Sequence, residues 1–314
     1  MKKMKVNTYI GNGAYCYANS ASMLLDSINE KVSPSIIEVL CGIGLSAFWM
    51  EKTNLLFFNF ALPDEELTRA FSILGFDCQE RIISKKQPVP IDQLKKDLNS
   101  SPVLLGPVDM GYLDYNPNHG FLYGADHYIF IYGFEDNNFY LHDPEKFPCV
   151  FLSPVQLKKS WESDKIFYGL ENYRYWTLPK RVKSPTEEEI YNSAVSGFKS
   201  IYRNCDKKSA KNNWITGKEA ILKAAVRFEN KNFSQEEIDH FRYFALPVGA
   251  KRALDFAVFF AERSPNLAEL KSEQARLFGK SQSLVAAKDW REFSKTLREY
   301  ADVEDKFETL LLAL

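Results

Sequence analysis

The sequence predicts an α+β domain followed by an all-α domain. Two observations carry this. Before residue 180 the patterns run as helices first and then short strands, including a hairpin, which is α+β order. After it, one 3.6-period apolar pattern follows another. Between them, KRVKSPTE at 180–187 is polar and holds a proline, so the boundary is set at 179/180. At roughly 150 residues per domain, 314 residues suit two domains, 1–179 and 180–314.

The elements follow in order. Residues 14–30, AYCYANSASMLLDSINE, put Ala18, Ala21, Leu24, Leu25 and Ile28 at helical spacing. Ser33 caps a second helix over 33–41, and Pro34 suits its first turn. Gly42 and Gly44 stop it. A third helix covers 63–74, with Asp64 as cap and Gly75 as stop. A fourth covers 92–98. PVLLGP at 102–107 reads as a buried strand, and HYIFIYGF at 127–134 as another. Asp136, Asn137 and Asn138 supply turn chemistry, and 139–142 completes the hairpin. Residues 147–152 and 173–178 are further strands. Helices are then expected over 187–202, 217–228, 234–244, 247–263 and 281–314, the last broken near Lys288. Ser234 with Glu237 is a capping-box signature.

Composition removes several function classes. There are 40 basic and 41 acidic side chains, a net charge of -1, so no global basic field exists to hold nucleic acid. Apolar runs such as 55–62 and 257–261 fall far short of the ~18 residues that span a bilayer. MKKMKVNTYIGNG has a basic start but no apolar segment after it, so no secretory signal is read there. Cysteines stand at 16, 41, 78, 149 and 205, without a CxxC pair. That pattern reads as reduced thiols in a cytoplasmic protein. The histidines at 119, 127, 142 and 240 lack zinc-ligand spacing, and no metal or cofactor is expected.

Three residues carry chemistry. Cys16 opens the first helix, behind the glycine-bearing IGNG. A sulfur at a helix N-terminus meets unpaired N–H groups and the positive end of the dipole, which favour the thiolate nucleophile. His127 opens the first hairpin strand and is the general base such a thiol needs. Asp143 ends the second strand, in HDP. The midpoint of 127 and 143 falls at 135, next to the turn, so the two residues share one end of the hairpin. The carboxylate could then orient the imidazole. His142 points to the opposite face. Taken alone, each residue also has a structural reading: a packed thiol, a core imidazole, a turn-forming Asp-Pro. The order Cys, then His, then acid is that of a papain-like site.

AYCYANSASMLL and HYIFIYGFEDNNFYLHDP together resemble the papain-like cysteine-peptidase superfamily, including the bacteriocin-processing, double-glycine peptidases. A fuller resemblance is to the butirosin biosynthesis protein H family. It covers residues 14–60 with CGIGLSAFW, then PVLLGPVDMGYLDY, and at pattern level FRYFALPVGAKRALDFAVFFAE and the region around Trp290. It implies a papain-like cysteine-proteinase fold with a helical C-terminal domain. It also implies a thiol-dependent acyltransferase of secondary-metabolite (antibiotic) biosynthesis. Cys16 would be the nucleophile, His127 the base and Asp143 the orienting acid. The donor would be an acyl-carrier protein and the acceptor a small-molecule amine. One departure bears on this. Papain-like peptidases place an oxyanion-binding glutamine about six residues before the cysteine, where this sequence has Ile10. Asn12 and Asn7 are the nearby amides open to that role, with the Cys16 N–H as the other donor. Asp109, Tyr112, Asp114, Tyr115 and His119, just ahead of His127, suit a cationic amine or sugar, with Asp109 the leading candidate. Two rivals stay open: a papain-like peptidase or amidase acting on a peptide, and a non-catalytic binding protein. Whether the helical domain docks a carrier protein or forms a homodimer is left open as well.

Overall fold

The computed structural model describes residues 6–11, 13–205 and 214–314. The chain divides into two compact units. The first holds 1–37 and 63–185, the second 38–62 and 186–314. The sequence reading put 38–62 in the first domain. Those residues belong instead to the second unit, where they supply two short strands to its sheet.

In the first unit, α1 (Cys16–Asp26) is followed by α2 (Pro34–Cys41), whose last four residues fall in the second unit. The helix α3 (Pro63–Ile73) carries Asp64, Glu65 and Glu66 in its first turn, where the helix dipole favours acid. Next come β3 (Phe76–Ser84), α4 (Ile91–Leu98) and β4 (Val103–Asp109). The hairpin strands are β5 (Asp126–Glu135) and β6 (Asn138–Asp143), followed by β7 (Phe147–Leu152). Ser153 caps α5 (Pro154–Glu162), and β8 (Asn172–Arg181) ends the unit. Six strands pair antiparallel in the order β3-β8-β4-β5-β6-β7. Asp136 and Asn137 both take positive φ, the backbone that a tight two-residue hairpin turn demands.

Alternation along the strands divides the core between two faces. Val103, Leu105, Ile129, Ile131 and Leu141 pack with Leu94 of α4 and with Leu157 and Trp161 of α5. Tyr128 and Trp176 turn to the other face. There Tyr17 of α1 meets Tyr128 edge-on at 5.9 Å, and Trp176 donates to Thr68 of α3 at 2.8 Å. The sheet is thus sandwiched between helices, and α1 is buried from Tyr17 to Leu25.

The second unit contains β1 (Phe48–Met50), β2 (Leu55–Phe57) and β9 (Trp214–Thr216), paired antiparallel as β2-β1-β9. Its helices are α6 (Glu187–Arg203), α7 (Gly217–Glu229), α8 (Gln235–His240), α9 (Leu246–Phe260), α10 (Pro265–Ala287) and α11 (Trp290–Ala313). The Ser234–Glu237 capping box is present. A π turn over Phe241–Ala245 joins α8 to α9. Pro247 lacks the N–H that a regular ladder would use there, which accounts for the wider turn. Lys288, in the left-handed conformation, makes the expected break between α10 and α11. Among the described residues no helix is long and apolar enough to cross a membrane.

Candidate functional site

The site is assembled from the N-terminus of α1, the ends of β5 and β6, and the loop that leads into β5. Cys16 is the first residue of α1 and is half-buried. Tyr15 before it is left-handed at φ 60°, which turns the chain from the glycine-bearing loop into the helix.

His127 and Asp143 share one end of the hairpin but are not directly opposed. The β5–β6 register pairs Phe130 with His142 and Ile131 with Leu141, then shifts before Gly133 and Tyr140. Asp143 therefore stands level with Ile129, and His127 lies two residues farther along on the same face. The side chains bridge this diagonal: His127 Nε2 donates to Asp143 Oδ1 at 2.6 Å. The Cys16 sulfur is within interaction reach of the same imidazole. With Nε2 committed to the carboxylate, Nδ1 is the ring nitrogen left for the sulfur. The structure thus brings Cys16, His127 and Asp143 into one line.

Electrostatics favours charge on that line. Burial opposes a charged His127, but the Asp143 carboxylate and the Cys16 sulfur outweigh it, so its pKa stands well above the ordinary imidazole value. Burial would raise the Asp143 pKa. The His127 charge and the hydrogen bonds from His127, the Glu145 N–H and Tyr115 outweigh that and hold it below the ordinary value.

The turn after β6 is stapled to the segment before Cys16. Gly13 N–H donates to the Pro144 carbonyl at 3.2 Å. The Tyr9 hydroxyl donates to the Asp143 carbonyl at 3.2 Å and accepts from the Lys146 N–H at 3.1 Å. A Cβ on Gly11 would fall 2.6 Å from the Pro144 carbonyl oxygen, so this approach needs a glycine. The sulfur-bearing segment and the acid-bearing turn therefore hold one another in register.

The other sequence candidates have different fates. His142 faces away: Nε2 donates to the Asn7 carbonyl at 2.8 Å, and Nδ1 accepts the Cys149 N–H at 3.0 Å. Both nitrogens are used by the fold, and burial lowers its pKa. Asn7 meets the sheet through its backbone, and Asn12 lies outside the described residues. Asp109 requires correction. Its carboxylate is fully buried, with Oδ1 accepting the Gly111 and Gly124 N–H groups and Oδ2 accepting the Ser163 hydroxyl. It closes the loop ahead of His127 instead of offering charge to a substrate. Asp109→Asn is therefore expected to cost about 1 kcal/mol, with faster hydrogen exchange at Gly111 and Gly124. Unchanged exchange would contradict this clamping role. On the same loop Tyr112 packs edge-on against Tyr123 at 5.1 Å, and His119 Nδ1 meets the Gly111 carbonyl at 2.8 Å. The loop reaches the Cys-His-Asp line through Tyr115, whose hydroxyl donates to Asp143 Oδ2 at 2.8 Å. The sequence reading grouped Tyr115 with cation-binding candidates. Its bond to Asp143 depends on loop conformation, which no residue spacing announces.

The site is an α+β arrangement: a helix opened by a cysteine, packed on an antiparallel sheet that carries histidine and aspartate. Kinship is read from the sequence. The chain is 40% identical over 304 residues to the uncharacterized protein YobF of Bacillus subtilis (strain 168), which covers 97% of this chain and 98% of the relative. The chain belongs to the YobF family. The YobF C-terminal domain matches residues 211–312. Among solved structures, a Bacillus anthracis chain described as a C39-like peptidase aligns with a TM-score of 0.38 and 16% identity, covering 57% of this chain and 99% of that one.

Proposed function

We propose that the chain is a thiol-dependent acyltransferase that moves an (amino)acyl group from a carrier-protein thioester to an amine. The observation that carries this is the line from the Cys16 sulfur through His127 to Asp143. In the first half-reaction the Cys16 thiolate attacks the thioester carbonyl. The carbon–sulfur bond of the donor breaks, and the departing thiolate takes the His127 proton. In the second, His127 accepts a proton from the attacking amine, and Cys16 leaves as thiolate. The Cys16 N–H belongs to the first turn, where a helix supplies no acceptor, so it is available to the oxyanion.

Ile10 favours transfer from an activated donor over amide hydrolysis. An apolar side chain at the position of the peptidase glutamine removes that donor from its usual place. Loss of such a donor costs about 10²–10³ in rate. A thioester tolerates that loss better than an amide. The resemblance to the butirosin biosynthesis protein H family supports the same class, and a reducing compartment such as the cytoplasm suits a free thiol.

Incubation with a panel of short acyl thioesters is expected to add one acyl group to the peptide that contains Cys16, read by mass spectrometry. Added amine should then carry the acyl group away faster than water does. Absence of an adduct with every donor in the panel would sink the reading. Release to water alone, unaffected by amines, would move it to the hydrolase class.

A further inference from the structure

We propose that Tyr115 is a positioning residue for this site, fixing the free oxygen of Asp143 and setting how tightly the His127–Asp143 pair holds its proton. The inference rests on the thiol–imidazole reading above and extends it to a residue outside the Cys-His-Asp line.

The geometry is specific. Asp143 Oδ1 is shared by His127 Nε2 at 2.6 Å and the Glu145 N–H at 2.7 Å. Oδ2 takes the Tyr115 hydroxyl at 2.8 Å. The carboxylate is fully buried, so water cannot replace this donor. Without it Oδ2 would be an anionic oxygen in the interior with no donor, and the carboxylate would be held at Oδ1 alone. Tyr115 is itself held: its ring lies 5.8 Å from that of Phe147, and its loop is closed by the Asp109 clamp. Burial and the nearby Asp143 charge keep the phenol protonated, so it stays a donor.

The sign follows from counting donors. When His127 loses its proton, the buried carboxylate loses its compensating charge and relies on its remaining donors. Removing Tyr115 weakens that deprotonated state more than the protonated one, so the pair should hold its proton to higher pH. The titratable groups around the pair are Cys16 from α1, Glu145 from the turn, Tyr9 from the N-terminal segment, and Asp114 beside Tyr115. Tyr115→Phe leaves all four of these side chains in place.

The test is the pH dependence of iodoacetamide labelling of Cys16 in the full chain, read from its own peptide. The wild-type rate should step twice, once where the thiolate–imidazolium pair forms and again where the imidazolium loses its proton. Tyr115→Phe keeps the ring and its packing, and should move the upper step up by about one pH unit, a tenfold change in proton affinity. Placing 3-fluorotyrosine at 115 alone gives a stronger donor and should move that step down. Tyr123→Phe, a phenol loss on the same loop away from Asp143, should leave it in place. An unmoved step in both Tyr115 variants, a shift of the same sign in both, or an equal shift in Tyr123→Phe would overturn the proposal. A wild-type profile with a single ordinary thiol step would instead overturn the thiol–imidazole reading itself. If Tyr115→Phe does not fold, the fluorotyrosine chain, which keeps the hydrogen bond, still decides the outcome.

Discussion

Asp143→Ala is expected to slow acyl-adduct formation at Cys16 about 10⁴-fold, the scale seen when a triad acid is lost. It should also destabilise the first unit by about 3 kcal/mol near neutral pH, as removal of one partner of a buried pair does. Both effects come from one carboxylate. It accepts from His127 Nε2, the Glu145 N–H and the Tyr115 hydroxyl, and alanine leaves all three without their acceptor. His127 then loses its opposing carboxylate, burial acts on it with only the Cys16 sulfur to offset it, and the imidazolium is disfavoured. The stability part carries a pH signature. The Asp143 pKa is depressed on folding, so its contribution is present above the ordinary carboxylate range and fades as pH falls through the folded value. That of His127 is raised, so its contribution is whole below the ordinary imidazole value and fades as pH rises through the folded one. The gap between wild type and variant should therefore be widest between roughly pH 4 and 6.5 and close on either side. Hydrogen exchange of the β5 and β6 amides measures it. Asp143→Asn keeps an acceptor for His127 but not the charge, and should fall between the two. An Ala variant that acylates within a few-fold of wild type would remove Asp143 from the mechanism.

Cys16, His127 and Asp143 stand out in the sequence because each is marked by local rules. A glycine-bearing loop before Cys16, a strand opening at His127 and an Asp-Pro closing the next strand each leave a sequence trace, and the Asp136–Asn137 turn fixes their end of the hairpin. The shifted register left no trace, since a one-residue offset between Ile131 and Gly133 changes the ladder without changing the alternation around it. Asp109 was misjudged for a related reason. A carboxylate at a strand end looks the same in sequence whether it faces a substrate or caps its own loop, and only the Gly111, Gly124 and Ser163 donors decide. Short strands escaped notice too: β1 and β9, at three residues each, are too brief to display a period. The strand β3 is hidden because Glu80 and Arg81 interrupt the alternation that Phe76, Asp77, Cys78 and Gln79 begin. The helix α5 and the first turns of α10 lie in stretches to which the sequence reading assigns no element. The assignment of 38–62 depended on contacts with residues more than 150 positions later, such as the pairing of Trp49 with Ile215, which no window along the chain contains.

In the second unit, Lys271→Met is expected to stabilise the fold by about 2 kcal/mol at neutral pH, within the range found when buried charges give way to apolar side chains. Lys271 is fully buried on α10. Its ammonium bonds Gln274 Oε1 at 2.9 Å and the Gly44 carbonyl at 3.4 Å, and stands 4.0 Å from the centre of the Phe307 ring. Those contacts do not repay dehydration: burial, only partly offset by the Glu304 charge, lowers its pKa to about 8. A lysine harder to protonate folded than unfolded makes folding costlier wherever it is charged, and that cost is relieved as pH climbs from about 8 toward the ordinary lysine value. The gain from methionine should therefore be full below pH 8 and shrink above it. Glu304 is not stranded by the change, since Oε1 still accepts Tyr202 at 2.6 Å and the Ser46 N–H at 3.0 Å, and Oε2 accepts Gln274 at 2.6 Å. The unfavourable consequence is a Gln274 carbonyl without its donor, an offset of about 1 kcal/mol already counted. Methionine matches the lysine stem in length and keeps its packing against Phe307. Slower hydrogen exchange in α10 and α11 at pH 7, converging on wild type as pH rises toward 9.5, is the expected result. A destabilised variant would mean that Lys271 and Glu304 act as a net-favourable pair, and that this buried cluster holds the helices together by charge.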